Sequence, residues 1–115
     1  KYFEEAASKQ YIPAIYLLGW SYHHKDNVKS VYYFERAADD GIAIACRMAG
    51  SINEQLISVN EKHKDKAFHY YLKGAELGEG SCLINVIRSY EQGYLIEKNL
   101  IKAKKYQNMY DELFK

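Results

Sequence analysis

The sequence is poor in residues that interrupt or cross-link a chain. It contains one proline and two cysteines, and no apolar run approaches the roughly 18 residues of a membrane span. Its 16 basic and 15 acidic side chains leave a net charge of +1, so no strong field steers it toward nucleic acid or an anionic membrane. With 48% hydrophobic residues, this composition favours a soluble, helix-rich globular chain over a disordered one.

What the sequence does contain is a repeat. The segment 2–7 reads YFEEAA and recurs 31 residues later, at 33–38, as YFERAA. A third copy follows 37 residues further on, where Tyr70, Gly74, Ala75 and Gly78 take the places of Tyr33, Ala37, Ala38 and Gly41. A degenerate fourth copy contains Lys102, Ala103 and Tyr106. Self-similarity of this kind is typical of helical-repeat proteins.

A second element lies between these copies and recurs at the same two offsets. Its aligned positions are Ala14, Leu18, Gly19 and Tyr22, then Ala45, Ala49, Gly50 and Asn53, then Cys82, Val86, Ile87 and Tyr90. Apolar residues in each element recur three and four positions apart, which is the period of an amphipathic helix. Each repeat is therefore predicted to be a pair of helices.

The pattern predicts one all-α domain over 1–115. The expected helices, about seven in number, cover 2–9, 11–24, 27–40, 42–56, 64–77, 79–92 and 99–114. We divide the chain into the second helix of a truncated repeat (1–10) and three repeats (11–41, 42–78 and 79–115). Because the chain opens inside a helical pattern without a start methionine, we expect it to be a piece of a longer protein.

Polar residues and glycines mark the expected helix ends and contacts. Asp26 and Asn99 precede helices as N-caps, whereas His63 takes the aligned place in the middle repeat and leaves Asp65 as the candidate there. Gly41 and Gly78 follow helices, where a left-handed cap needs a residue without a Cβ. Small residues inside the helices, Gly19, Gly50, Ala37, Ala38, Gly74 and Ala75, predict close helix contacts, with Tyr22, Tyr33 and Tyr70 filling the space beside them.

These residues resemble the Sel-one-like repeat family, relatives of the tetratricopeptide repeats. The segment 90–103 carries the turn of the family pattern most completely, and the first repeat carries the rest, from Ala14 and Gly19 through Tyr33 to Gly41. The sequence departs from the pattern in a shortened turn at 23–25, in Asn53, in an insertion around 56–63, and at 110–111. The resemblance implies a right-handed α/α superhelix of antiparallel helix pairs, whose first helices line a concave face, in a family of adaptor proteins.

Transferring the tetratricopeptide geometry gives the candidate binding residues. The reference position is the leucine that precedes Gly19, or the residue aligned with that leucine in the other repeats. The candidates lie two positions before it and two, five and six positions after it. They are Tyr16, Trp20, His23 and His24; Arg47, Ser51, Glu54 and Gln55; and Ile84, Arg88, Glu91 and Gln92. Aromatic anchors supply buried area and arginines bind carboxylates through paired hydrogen bonds, so this set predicts recognition of a peptide or loop. Whether Trp20 contacts a partner or packs in the core stays open.

The leading functional hypothesis is a scaffold or adaptor that binds another protein, and the alternative is an immunity protein that inhibits a toxin. A metal site would have to use His23 and His24 with His63 or His69, but adjacent helical histidines point about 100° apart. Cys46 and Cys82 lie in apolar helical contexts and are interpreted as reduced core residues.

No catalytic or phosphate-binding motif is present. We expect no enzymatic activity, cofactor, metal, nucleic acid or membrane insertion. The sequence shows no signal peptide and leaves the compartment open, with the cytoplasm slightly favoured.

Overall fold

The computed structural model describes residues 12–115, and that range consists of helices without a β-strand. The helices are α1 (Ile12–Tyr22), α2 (Asn27–Asp39), α3 (Ala43–Gln55), α4 (His63–Glu76), α5 (Gly80–Gln92) and α6 (Leu100–Leu113). Their ends lie within two residues of the prediction. The expected helix at 2–9 falls outside the described residues. None of the described helices has the length and apolarity needed to span a bilayer.

The helices begin where side chains satisfy free backbone N–H groups. The Asp26 carboxylate accepts a hydrogen bond from the Lys29 amide at 3.1 Å, and the Asn99 side chain accepts one from the Lys102 amide at 3.0 Å. Both predicted N-caps are confirmed. The prediction for Asp65 is wrong, because α4 begins two residues earlier and has no side-chain cap.

The two predicted cap glycines have left-handed backbone. Gly41 has φ of +93° and Gly78 has φ of +85°, values that a side chain would strain. The residue after each glycine donates its amide five residues back, from Ile42 to the Ala37 carbonyl at 3.2 Å and from Glu79 to the Gly74 carbonyl at 2.9 Å. These bonds satisfy carbonyls that the end of a helix leaves free, and they turn the chain into the next helix.

The helices stack in chain order. Each packs against its neighbours along the chain, α2 also contacts α4, and α3 also contacts α5. This is the contact pattern of a solenoid, in which each unit touches only the units beside it. The interior is lined by fully buried alanines that let the helices close on one another: Ala37, Ala38, Ala45, Ala49, Ala67 and Ala75.

The glycines inside the first two helix pairs accommodate aromatic rings from the second helix of each pair. A Cβ on Gly19 would lie 2.7 Å from the ring of Phe34, and a Cβ on Gly50 would lie 2.6 Å from the ring of Tyr71. The sequence correctly predicts close contact at both glycines. It places the wrong side chains there, because the rings in contact each come one position after the expected tyrosines at 33 and 70.

The third pair reverses this arrangement. Ile87 aligns with Gly50, and in α6 Gln107 aligns with Tyr71 when Ala67 is matched to Ala103. The larger side chain at the glycine position is therefore on the first helix of the third pair, whereas in the other two pairs the ring comes from the second helix. Ile87 and Gln107 both line a depression between α5 and α6.

Candidate functional site

The aromatic residues predicted on α1 form one cluster with the core. Trp20 meets Phe34 edge to face at 5.3 Å between ring centroids, and Tyr16 meets Phe34 at 6.0 Å. Trp20 nevertheless keeps 39% of its surface exposed. It therefore packs on the core with one side and presents the other to solvent, so a role in packing and a role in contact are compatible.

The two histidines at the end of α1 lie closer together than helical geometry predicts. His24 has φ of +68° and has left the helix, so its ring centroid lies 3.8 Å from that of His23. The argument from a 100° separation is therefore wrong for this pair. His23 Nδ1 is buried without a hydrogen-bond partner in the described part of the chain. Burial, and then the charge of His24, lower the pKa of His23.

The remaining histidines do not complete a metal site with this pair. His63 Nδ1 lies 2.7 Å from Asn53 Oδ1, and His69 is exposed beside Tyr70. Within residues 12–115, no three histidine, cysteine, aspartate or glutamate side chains are grouped so that they could hold a metal ion.

Glu54 is the central residue of a second cluster, formed by α3, α4 and the turn after α5. Its Oε1 accepts a hydrogen bond from the Tyr71 hydroxyl at 2.7 Å, and its Oε2 accepts one from the Tyr94 hydroxyl at 2.6 Å. The bond to Glu54 raises the pKa of Tyr94, and burial, followed by the same carboxylate, raises the pKa of Tyr71. Both tyrosines therefore stay protonated and act as donors.

Arg88 lies beside this cluster on the exposed side of α5. Its guanidinium carbon is 5.7 Å from the centroid of the Tyr94 ring, and its Nη2 donates to Asn85 Oδ1 at 2.6 Å. Arg88 forms no ion pair with Glu54, since no carboxylate in the described residues lies within ion-pair distance of it. Arg88 thus presents a charge held in place by a ring and an amide.

Three depressions follow one another across α5, and we call them together the α5 groove. The first, of about 320 Å³, is lined by Ile84, Ile87, Arg88, Glu91, Gln107 and Tyr110. The second, of about 270 Å³, is lined by Glu54, Arg88, Gln92 and Tyr94. The third, of about 420 Å³, lies at the inserted loop and is lined by Glu54, Gln55, Ile57, Ser58, Glu61, Lys64, Gly93, Tyr94 and Leu95.

Adjacent depressions share side chains, so they form a continuous surface. Arg88 belongs to the first and second, and Glu54 and Tyr94 belong to the second and third. The structure thus brings together six of the predicted residues: Glu54, Gln55, Ile84, Arg88, Glu91 and Gln92. Tyr16, Trp20 and His23 form the separate cluster on α1, His24 is exposed beside it, and Arg47 and Ser51 are half-buried on α3.

Sequence reasoning missed the residues that complete the groove. Tyr94 and Leu95 come from a turn, whereas the transferred geometry considers only helical positions. Gln107 and Tyr110 come from the second helix of the last pair, whereas the transferred geometry considers only first helices. A usable signal did exist for Gln107, because it replaces an aromatic residue of the repeat pattern.

Comparison of the sequence with family profiles and with curated proteins gives no match. The fold, however, matches solved structures. A crystal structure described as a Sel1 repeat protein from Oxalobacter formigenes is similar with a TM-score of 0.80 and 25% sequence identity, over 96% of this chain. The chain has the Sel1-like repeat fold. It spans 47% of the length of that Sel1 repeat protein.

The Sel1-like repeat fold confirms the predicted all-helical solenoid. With the repeat division that the sequence predicts, α1, α3 and α5 are the first helices of three consecutive pairs, and most of the predicted binding residues lie on them. We call the surface that these helices expose the first-helix face. The α5 groove crosses one part of this face, and the Trp20 cluster lies on another.

Proposed function

We propose that this chain is a non-enzymatic scaffold that binds a segment of a partner protein on its first-helix face. The single observation that carries the proposal is Arg88, an exposed and positioned guanidinium between two depressions, with no carboxylate of the described chain within ion-pair distance. An exposed cation of this kind contributes little to folding, whereas a partner's carboxylate can form paired hydrogen bonds with it.

Exposed apolar side chains are also present on this surface. The first helices expose four large apolar residues by 39 to 51%: Leu17, Trp20, Ile44 and Ile84. Interfaces draw most of their binding energy from a few aromatic, arginine and apolar side chains surrounded by polar ones. Trp20 packs against Phe34 and Arg88 lies over the ring of Tyr94, so both have defined surroundings.

The state of the cysteines favours a scaffold over an enzyme. Cys46 and Cys82 are fully buried, and burial raises the pKa of Cys46 to about 11 and raises that of Cys82 further. Nucleophilic cysteines need a lowered pKa and access to substrate. Both thiols are therefore packing residues, as the sequence indicates.

The test compares two matched double variants. Trp20→Ala with Arg88→Glu removes an aromatic ring and reverses an arginine on the first-helix face. Tyr32→Ala with Arg36→Glu makes the same changes on α2, where Arg36 lies 5.6 Å from the Tyr32 ring centroid. A partner is first isolated by affinity capture with the full-length parent and identified by mass spectrometry. Its affinity is then measured for each folded variant.

We expect the first double variant to lose binding by at least tenfold and the second to bind as the native chain does. Equal binding by the native chain and both double variants, or a loss confined to the α2 variant, would show that the partner does not bind the first-helix face. The partner also decides between an adaptor and an inhibitor, because an inhibitor abolishes the activity of the protein that it binds.

A further inference from the structure

We propose that the α5 groove recognises an extended peptide segment in which one apolar side chain lies within a few residues of a single acidic side chain. This inference rests on the proposed function and adds the chemistry of the partner. The apolar side chain would occupy the first depression, and the carboxylate would bind Arg88.

The first depression has the lining that an apolar side chain needs. Ile84, which is 51% exposed, lines it together with Ile87 and Tyr110. Gln107, which also lines this depression, takes the aligned position of Tyr71 in the preceding helix pair. The volume of the depression, about 320 Å³, is many times the roughly 30 Å³ that one water molecule occupies in the liquid. A side chain that enters the depression releases water from apolar surface.

Arg88 is positioned so that its guanidinium can bind a carboxylate. The ring of Tyr94 and the amide of Asn85 fix its position while using only part of its hydrogen-bonding capacity. A guanidinium has five N–H donors in a planar fork that matches the two oxygens of a carboxylate. Since its position is already restricted, less side-chain entropy is lost when a carboxylate binds.

The other charges of the groove restrict the number of acidic residues. Glu91 lines the first depression, Glu54 the second, and Glu61 with Lys64 the third. Arg88 is therefore one cation between two carboxylates. A run of acidic residues would face Glu54 and Glu91 and be repelled, so the surface fits one acidic side chain rather than several.

The occupant is an extended segment because of how the depressions are joined. Arg88 connects the first to the second, and Glu54 with Tyr94 connects the second to the third. An extended chain sends alternate side chains to opposite sides. Residues two apart can therefore enter neighbouring depressions while those between them face solvent.

The experiment uses a display library of segments of about twelve random residues, selected in parallel on the native chain, on Arg88→Glu and on Arg36→Glu. The native chain and Arg36→Glu should enrich segments with a large apolar residue within three positions of one Asp or Glu. Arg88→Glu should lose the acidic preference. Enrichment of segments without an acidic residue, or the same acidic preference on Arg88→Glu, would overturn the inference.

A titration then tests the contact without altering the protein. An enriched segment is synthesised with its acidic residue and with the corresponding amide, and both are titrated into the native chain. The amide should bind about tenfold more weakly or worse, because a charge-assisted pair is lost. Equal affinities would refute the carboxylate contact.

The two proposals fail in different ways. If enriched segments are neutral or basic but lose affinity on Trp20→Ala or Arg88→Glu, the peptide chemistry is wrong and binding to the first-helix face stands. If their affinity is insensitive to both substitutions, the first-helix face itself is wrong as the binding surface.

Discussion

Replacing Gly50 with alanine is expected to destabilise the protein, although alanine is the better helix former. In an exposed helix the change would stabilise by about 0.5 to 1 kcal/mol, because glycine loses more backbone entropy on folding. At Gly50 the new Cβ would lie 2.6 and 2.7 Å from two carbons of the Tyr71 ring, well inside van der Waals contact.

The ring has no free direction in which to move. Tyr71 is 3% exposed, and its hydroxyl is held by Glu54 at 2.7 Å. Overpacking a tight core costs about 1 to 3 kcal/mol, which exceeds the gain in helix propensity. We therefore expect Gly50→Ala to lower the free energy of unfolding by about 1 to 2 kcal/mol.

Urea unfolding followed by far-ultraviolet circular dichroism measures this change. Asn108→Ala is the control, because Asn108 is exposed on α6 and the substitution gains helix propensity without a clash. A double variant, Gly50→Ala with Tyr71→Leu, tests the cause. It should be less destabilised than the sum of its single changes, since removing the ring makes room for the Cβ.

The sign of the change in the free energy of unfolding tests the packing argument at Gly50. If Gly50→Ala is as stable as the native chain or more stable, the contact between α3 and the Tyr71 ring is not tight, and the packing argument for the repeat fails. If it is destabilised but the double variant shows no coupling, strain elsewhere in α3 is responsible.

Three further predictions concern a half-buried imidazole, a cap and the thiols. The pKa of His23 is lowered in the folded chain, so the unfolded chain binds a proton first as the pH falls. The free energy of unfolding should therefore fall as the pH drops from about 7.5 to about 5.5, and it should fall less in His23→Gln. The fluorescence of Trp20, whose ring lies beside His23, follows unfolding at this end of the stack. A fall as large in the variant would contradict this. Asn99→Ala should cost about 1 kcal/mol in urea unfolding, and an unchanged midpoint would show that the cap contributes nothing. Cys46 and Cys82 should react with a thiol reagent only after denaturant is added, and rapid labelling of the native chain would show that the core opens.

The sequence predicts the fold well because its signals are local. The apolar period, the capping side chains at Asp26 and Asn99, and the glycines at 41 and 78 each depend on a few neighbouring residues. The same local period places Glu54 on α3 and Arg88 on α5. It fails at His24, where the backbone leaves the helix and the helical angle no longer applies.

The remainder of the candidate site depends on packing between helices, which no local pattern specifies. Which ring covers Gly50 is decided by how α3 and α4 cross. Tyr94 reaches Glu54 only because the turn after α5 folds back toward α3, across 40 residues of sequence. The surface role of the predicted residues stays a prediction, while the fold that carries them is confirmed.

Two departures from the repeat pattern, Asn53 and the insertion that follows it, form one structural feature. In the first and third helix pairs, the residue aligned with Asn53 is a tyrosine that stacks on a tyrosine of the second helix. In the middle pair Asn53 is fully buried, and its Nδ2 donates to Glu35 at 2.8 Å and to the Ala49 carbonyl at 2.9 Å.

With both amide hydrogens committed, Asn53 Oδ1 must accept, so His63 Nδ1 carries the proton in the bond between them. That bond fixes the first residue of α4 against the last turns of α3, and it closes the inserted loop at 56–62. Ile57, Ser58 and Glu61 of this loop then form a wall of the third depression. The asparagine that weakens the resemblance in sequence thereby anchors the loop that extends the α5 groove.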